Sequence, residues 1–285
     1  MKLLVFSFFL SLAFYGQLPK SEIWLFQLAK KNNQLTYSKP LNITNNVGYN
    51  NQPCFSSDGK FIYYARTGNL NQVDIYKYEV LKKITINLTN SEVSEYSPNL
   101  LPDGSSFSSV VVEKDSAQRI WQFQIDGTFY KILHEQTDSI GYYCWLNSDT
   151  MLYYKLTKPH SLRCLNVKTN EDVWICNDPA RSFRKTTNTS QFIYAVKDST
   201  GLQFRIYNSV LRKSTSYAFR FGLHEDFIWH DEFGLVKSEG ASLIRYNEIK
   251  GIWEELISFA HLGINNITRF VFDKNTKQLA LVNDL

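Results

Sequence analysis

Three of the five histidines in this 285-residue chain are placed to do chemistry. His134 is followed by Glu135 and Asp138, His224 by Glu225 and Asp226, and His261 stands in a further loop segment. Neutral imidazoles and carboxylates from separate loops can converge on a divalent ion, or act as acid and base near neutral pH. No His-x-x-x-His spacing supports a local ligand pair, so these residues form a site only if the fold gathers distant loops. The same segments carry Tyr49, Tyr96, Tyr142, Tyr143 and Phe183, whose rings can stack on a sugar or on a partner's side chain. The plainer reading of both sets is a polar rim over packed aromatics. No motif implies a cofactor, and a metal is expected only if His134, His224 and His261 meet.

The elements that position these residues repeat. Pro53-Cys54-Phe55-Ser56-Ser57-Asp58-Gly59-Lys60 leads into the apolar run Phe61 to Ala65, then Asp74 to Tyr78 and Ile84 to Thr89. Asp-Gly between apolar runs marks a tight turn, because glycine tolerates positive φ and aspartate bonds to its own backbone. The aromatic, β-branched run reads as a buried strand, and the alternating runs as half-exposed ones. The pattern returns 45 residues on, with Pro98 for Pro53 and Asp103 for Asp58. A third copy starts at Cys144, a fourth at Phe183 and a fifth at Phe227. Four strands in every 40–45 residues or so predict the blades of a β-propeller.

The two ends supply one further blade between them. The amino-terminal part offers only two outer strands, Ile23 to Leu28 and Leu35 to Thr44. The carboxy-terminal part offers only two inner ones, Ile267 to Phe272 and Gln278 to Asn283. The expected architecture is all-β: six blades of four antiparallel strands, one blade shared between the termini, which removes open sheet edges. In a propeller the loops from each outer strand to the next inner strand gather on one face around the axial channel. The expected partner-binding set is therefore Tyr49, Tyr96, His134, Asp138, Tyr142, His224, Asp226 and His261.

Residues 1–16 read as a signal peptide: Met1-Lys2, an apolar run from Leu3 to Tyr15, and cleavage after Ala13 or Gly16. That run is too short to span a bilayer, and no later stretch is longer and as apolar. Residues 17–285 then form one propeller domain with no linker or low-complexity tract. A formal net charge of +4, with the charges interspersed, gives no basic surface for nucleic acid. Four cysteines suit an exported protein. Cys164 and Cys176 flank a hairpin turn and read either as a cross-strand disulfide or as two buried thiols; Cys54 and Cys144, on inner strands of different blades, are expected to be unpaired. The Asn-x-Ser/Thr triplets at Asn42, Asn87, Asn188 and Asn266 read as turn chemistry.

Pro-x-x-Ser-x-Asp-Gly-Lys, an apolar strand, an Ile-Tyr strand and a closing Leu-Thr resemble the TolB-type propeller repeat. Here Pro53, Ser56, Asp58, Gly59, Lys60, Ile75, Tyr76, Leu88 and Thr89 carry it, with a second copy at Pro98, Pro102, Asp103, Gly104, Ile120 and Trp121. The resemblance implies a periplasmic or secreted propeller that docks proteins or small ligands on one face. The first expectation for this chain is a non-enzymatic, monomeric propeller that binds a protein or glycan partner of the cell envelope at its channel face. Similar propellers cap serine peptidases, but a Gly-x-Ser-x-Gly elbow is absent here. The alternative is a propeller lyase or hydrolase acting on a carbohydrate through the three histidines.

Overall fold

The computed structural model describes residues 18–31, 34–68, 72–199, 201–221 and 225–285. The expected signal peptide and His224 lie outside the described residues.

Among the described residues, twenty-four strands pair into six four-stranded antiparallel sheets, five of them in chain order. The first blade holds β3 (Asn50–Phe55), β4 (Phe61–Thr67), β5 (Val73–Glu79) and β6 (Ile84–Asn87). The second holds β7 (Ser94–Leu100), β8 (Ser106–Val112), β9 (Gln118–Gln124) and β10 (Phe129–Ile132). The third holds β11 (Ile140–Trp145), β12 (Thr150–Lys155), β13 (Ser161–Asn166) and β14 (Glu171–Asn177). The fourth holds β15 (Pro179–Lys185), β16 (Gln191–Asp198), β17 (Gly201–Asn208) and β18 (Lys213–Phe221). The fifth holds β19 (Phe227–His230), β20 (Gly234–Glu239), β21 (Ser242–Asn247) and β22 (Ile252–Ser258). The sixth is the shared blade, in the order β2 (Gln34–Asn42), β1 (Ser21–Lys31), β24 (Gln278–Asp284), β23 (Ile267–Phe272). Strand β1 pairs with β24 antiparallel, with Ile23 opposite Val282 and Leu25 opposite Ala280. The Leu285 amide donates to the Lys20 carbonyl at 2.9 Å, so the two ends of the described chain meet and the ring closes.

Burial falls from the axis outward. In β4, Ile62 to Ala65 are all buried, and in β8 so is everything from Ser106 to Val111. Both strands are covered on each face by a neighbouring blade, so their residues need not alternate. The outermost strands β6 and β10 are largely exposed. The core is itself a ring, in which each pair of adjacent blades shares one apolar cluster. Tyr63, Ala65 and Val73 of the first blade pack on Phe107 and Val111 of the second. Ile23 and Leu25 of the shared blade pack on Phe55, Ile62 and Tyr64 of the first. The rich aromatic content of the sequence is spent mostly in these seams.

The Asp-Gly turns form as expected. The Ser56 hydroxyl donates to Asp58 Oδ1 at 2.7 Å, the Lys60 amide donates to it at 3.1 Å, and Gly59 sits at φ 70°. The amides of Thr44 and Asn45 donate to Asn42 Oδ1, and that of Asn90 to Asn87 Oδ1, so these two asparagines cap turns.

The disulfide reading of Cys164 and Cys176 is corrected, because all four cysteines are free. Cys164 faces Val173, while Cys176 faces Leu162 across a register shift that begins beyond Leu162. The turn that pairs Asn166 with Glu171 sets this register and leaves the cysteines diagonal, not opposed. Burial raises both thiols, Cys164 to about 12 and Cys176 to about 11.

Candidate functional site

All six innermost strands line the axial channel, where they enclose a cavity of about 160 Å³. Its wall includes Gln52 and Cys54 of β3, Ser97 and Asn99 of β7, Tyr142 and Cys144 of β11, Arg181 and Arg184 of β15, Ile228 of β19 and Arg269 of β23. Cys54, Asn99 and Cys144 recur at 45-residue spacing and occupy equivalent places in the wall. Strands β3, β7, β11, β15 and β23 each slip register against their partners, between Asn51 and Cys54, Tyr96 and Asn99, Ile140 and Tyr142, Pro179 and Phe183, and Ile267 and Arg269. A bulge bends a strand and re-aims its side chains. Five bulges at one level of the ring coincide with the polar part of the wall.

Hydrogen bonds fix that wall. Gln52 Oε1 accepts from the Ser97 amide at 2.7 Å. The Tyr143 hydroxyl donates to the Ser97 carbonyl at 3.1 Å and lies 2.9 Å from the Ser108 hydroxyl, which accepts from the Trp145 indole at 2.9 Å.

Charge gathers on one side of the wall. Arg181 pairs with Asp226, and its backbone amide donates to Glu225 at 2.7 Å; Glu225 also pairs with Lys197. Burial opposes the charge on Arg181, but Asp226 outweighs it and raises the guanidinium pKa. The Arg269 guanidinium lies 5.5 Å from the centre of the Tyr142 ring, a cation–π contact. Asp284 accepts from the Thr268 hydroxyl at 3.0 Å, and burial raises its pKa despite Arg181 and Arg269 nearby. Tyr49 is raised by burial and meets Tyr96 edge-on, with ring centres 6.3 Å apart.

Of the residues expected from sequence, Tyr142 lies in the cavity wall, with Asp226 on its arginine and Tyr49 and Tyr96 beside them. Tyr96 and Tyr142 are not in loops but just inside β7 and β11. Asp138 is in the loop before β11, where its carboxylate meets the Ser139 hydroxyl at 3.4 Å. His134 stands between β10 and β11 with neither ring nitrogen hydrogen-bonded. His261 belongs to a 3-10 turn, Ala260–Leu262; its ring stacks on Tyr37 at 5.8 Å, and its Nε2 lies 2.8 Å from the Tyr37 hydroxyl. Among the described residues no three His, Cys, Asp or Glu side chains are grouped to hold a metal ion.

Arg181, Arg184, Arg269 and Asp284 were outside the expected set. The fourth repeat was expected to start at Phe183, whereas β15 begins at Pro179 and so includes Arg181. For Arg184 the available signal was an arginine at the inner-strand position where the first three repeats carry Cys54, Asn99 and Cys144.

No family model matches the chain, and no curated protein sequence matches it. Solved structures do. A putative TolB from Agrobacterium tumefaciens aligns over 94% of this chain and 99% of its own, with a TM-score of 0.67 at 9% identity. A chain of a nidogen/laminin complex aligns over 92% of this chain and 98% of its own, with a TM-score of 0.60 at 11% identity. An oligogalacturonate lyase in complex with manganese aligns over 90% of this chain and 77% of its own, with a TM-score of 0.53 at 13% identity. Propellers with binding and with catalytic roles thus share this architecture, and the chain has the six-bladed fold of the TolB-type propellers.

Proposed function

We propose that this protein is an exported, monomeric propeller that binds a protein partner at the channel face, in the periplasm or outside the cell. One observation carries the reading. Tyr49, Tyr96, Tyr142, Arg181, Asp226 and Arg269, one from each of the six blades, form an aromatic and charged patch around the channel mouth. Tyrosine and arginine are the side chains that dominate binding hot spots, and a patch held by bulged strands loses little entropy on binding. The likeness to TolB and to a nidogen/laminin chain supports a protein over a glycan partner.

The test is quantitative capture of envelope proteins on the immobilised chain, beside Tyr142→Ala and Asp226→Asn. A partner enriched by the parent, and lost at least tenfold by Tyr142→Ala, is the expected result. Enrichment that neither substitution alters would move the interface off this face.

The second reading is a carbohydrate lyase or hydrolase built on His134, His224 and His261, and the likeness to a manganese-bound lyase is what favours it. Against it, His261 is engaged with Tyr37 on the outermost strand of the shared blade. The expected outcome is that manganese leaves the melting temperature unchanged in the parent, in His134→Ala and in His261→Ala. A metal-induced rise that either substitution removes would restore the enzyme.

A further inference from the structure

The cavity wall holds three arginines and no carboxylate. Arg181 has its counter-ion in Asp226. Arg184 and Arg269 make no ion pair among the described residues, although Asp226 acts on Arg184 and Asp284 on Arg269 from farther off. Arg184 Nη1 donates to the carbonyl of its own neighbour, Phe183, at 2.8 Å, and Arg269 rests on the Tyr142 ring. Arg184 borders the cavity yet is enclosed by protein, and desolvation, with Arg269 as a like charge, pulls its pKa below the usual arginine value. Two guanidiniums that face one cavity without a contacting carboxylate are costly in the empty protein, since a buried charge needs a close partner and the like charges repel. Guanidinium forks match carboxylate oxygens in pairs, and the interaction strengthens where water is excluded.

The remaining wall narrows the choice of anion. Phe183, Ile228, Phe270 and Val271 are apolar and suit a short aliphatic stem. A cavity of about 160 Å³ has room for one acidic side chain. We propose that the axial cavity is a carboxylate-binding site, in which Arg184 and Arg269 grip one acidic side chain presented by a protein partner docked at the channel face. This rests on the binding reading above and supplies its chemistry: the partner is recognised by an inserted glutamate or aspartate.

The experiment titrates acetyl-Gly-Glu-Gly-amide into the full chain by calorimetry and by thermal shift. Acetyl-Gly-Gln-Gly-amide, the free-carboxyl peptide acetyl-Gly-Gln-Gly and galacturonate serve as comparison arms. The glutamate peptide is expected to bind and raise the melting temperature, with little response to the glutamine amide. Tighter binding of the free-carboxyl peptide would keep the carboxylate grip but assign it to a chain terminus. Arg184→Gln is expected to weaken glutamate-peptide binding at least tenfold and to raise the melting temperature of the unliganded protein, because it removes a buried unpaired charge. That rise separates loss of the site from loss of the fold, and Arg269→Gln gives a second, independent measure.

No binding of either carboxylate peptide, or binding unaltered in both variants, would overturn the proposal. So would Arg184-dependent binding of galacturonate alone. A captured protein partner retained at full strength by Arg184→Gln would leave the binding function standing and remove this inference. Arg184-dependent binding of the acidic peptide with no partner captured would do the reverse.

Discussion

Glu95 is a carboxyl group placed where water does not reach. It has no exposed surface, accepts from the Thr89 hydroxyl at 3.0 Å and is held by the Ser91 hydroxyl, with Asp74 close by. Burial outweighs both hydrogen bonds and raises its pKa from 4.5 to about 7. The folded chain therefore keeps a proton that the unfolded chain releases at lower pH. Below the unfolded value both states are protonated and the stability is intact. Between 4.5 and about 7 the unfolded state holds fewer protons, so stability falls as pH rises, and it levels off above that window. The loss amounts to roughly 3 kcal/mol at most, at 1.36 kcal/mol per pKa unit. Glu95→Gln cannot ionise and keeps the shape. In urea titrations it should match the parent near pH 4.5 and exceed it by about 2–3 kcal/mol at pH 8. Parallel pH curves for the two proteins would mean that Glu95 is ionised in the fold.

Turns and bulges are the elements that separate what was legible from what was not. The repeat, the six blades and the shared blade follow from alternation, Asp-Gly turns and 45-residue spacing, because those features act within a few residues of chain. The bulges do not follow. They leave no mark in the alternation or in the turn residues, so Tyr96 and Tyr142 were assigned to loops and Arg181, Arg184 and Arg269 were passed over. The diagonal offset of Cys164 and Cys176 has another origin, the turn that pairs Asn166 with Glu171 in the outer hairpin. Turn glycines show how far neighbouring blades constrain a local choice. Gly127 and Gly234 both have positive φ, 93° and 68°. A Cβ on Gly127 would lie 2.1 Å from the Leu88 carbonyl oxygen, in the preceding blade, whereas one on Gly234 would meet nothing within 4 Å. Gly234→Ala should cost about 1 kcal/mol, the backbone strain alone. Gly127→Ala must also displace Leu88 and should cost about 3 kcal/mol or more. Equal losses in chemical denaturation would show that the seam between the first two blades yields freely.

At the scale of the molecule, the ring is closed by hydrogen bonds and packing, not by a covalent link. Elsewhere each blade is one continuous stretch of chain; the shared blade alone depends on β1 finding β24 across the whole sequence. The free energy that holds that pairing therefore also holds the channel, because β23 and its Arg269 are positioned by β24. Leu281 of β24 is fully buried, lies opposite Trp24 of β1 and Phe270 of β23, and packs in the seam with the fifth blade. Leu281→Ala leaves a cavity there and should cost about 2–5 kcal/mol. If the ring is one cooperative unit, that loss appears as a shift of a single transition, with circular dichroism and tryptophan fluorescence moving together. Should the shared blade instead open alone, Trp24 would report a separate, earlier transition, and binding at Arg269 would vanish before the other five blades unfold. The six apolar seams each join two blades and form an unbroken circuit, so opening one exposes both of its faces to water. That favours the single transition and makes closure of the shared blade a condition for the channel site to exist.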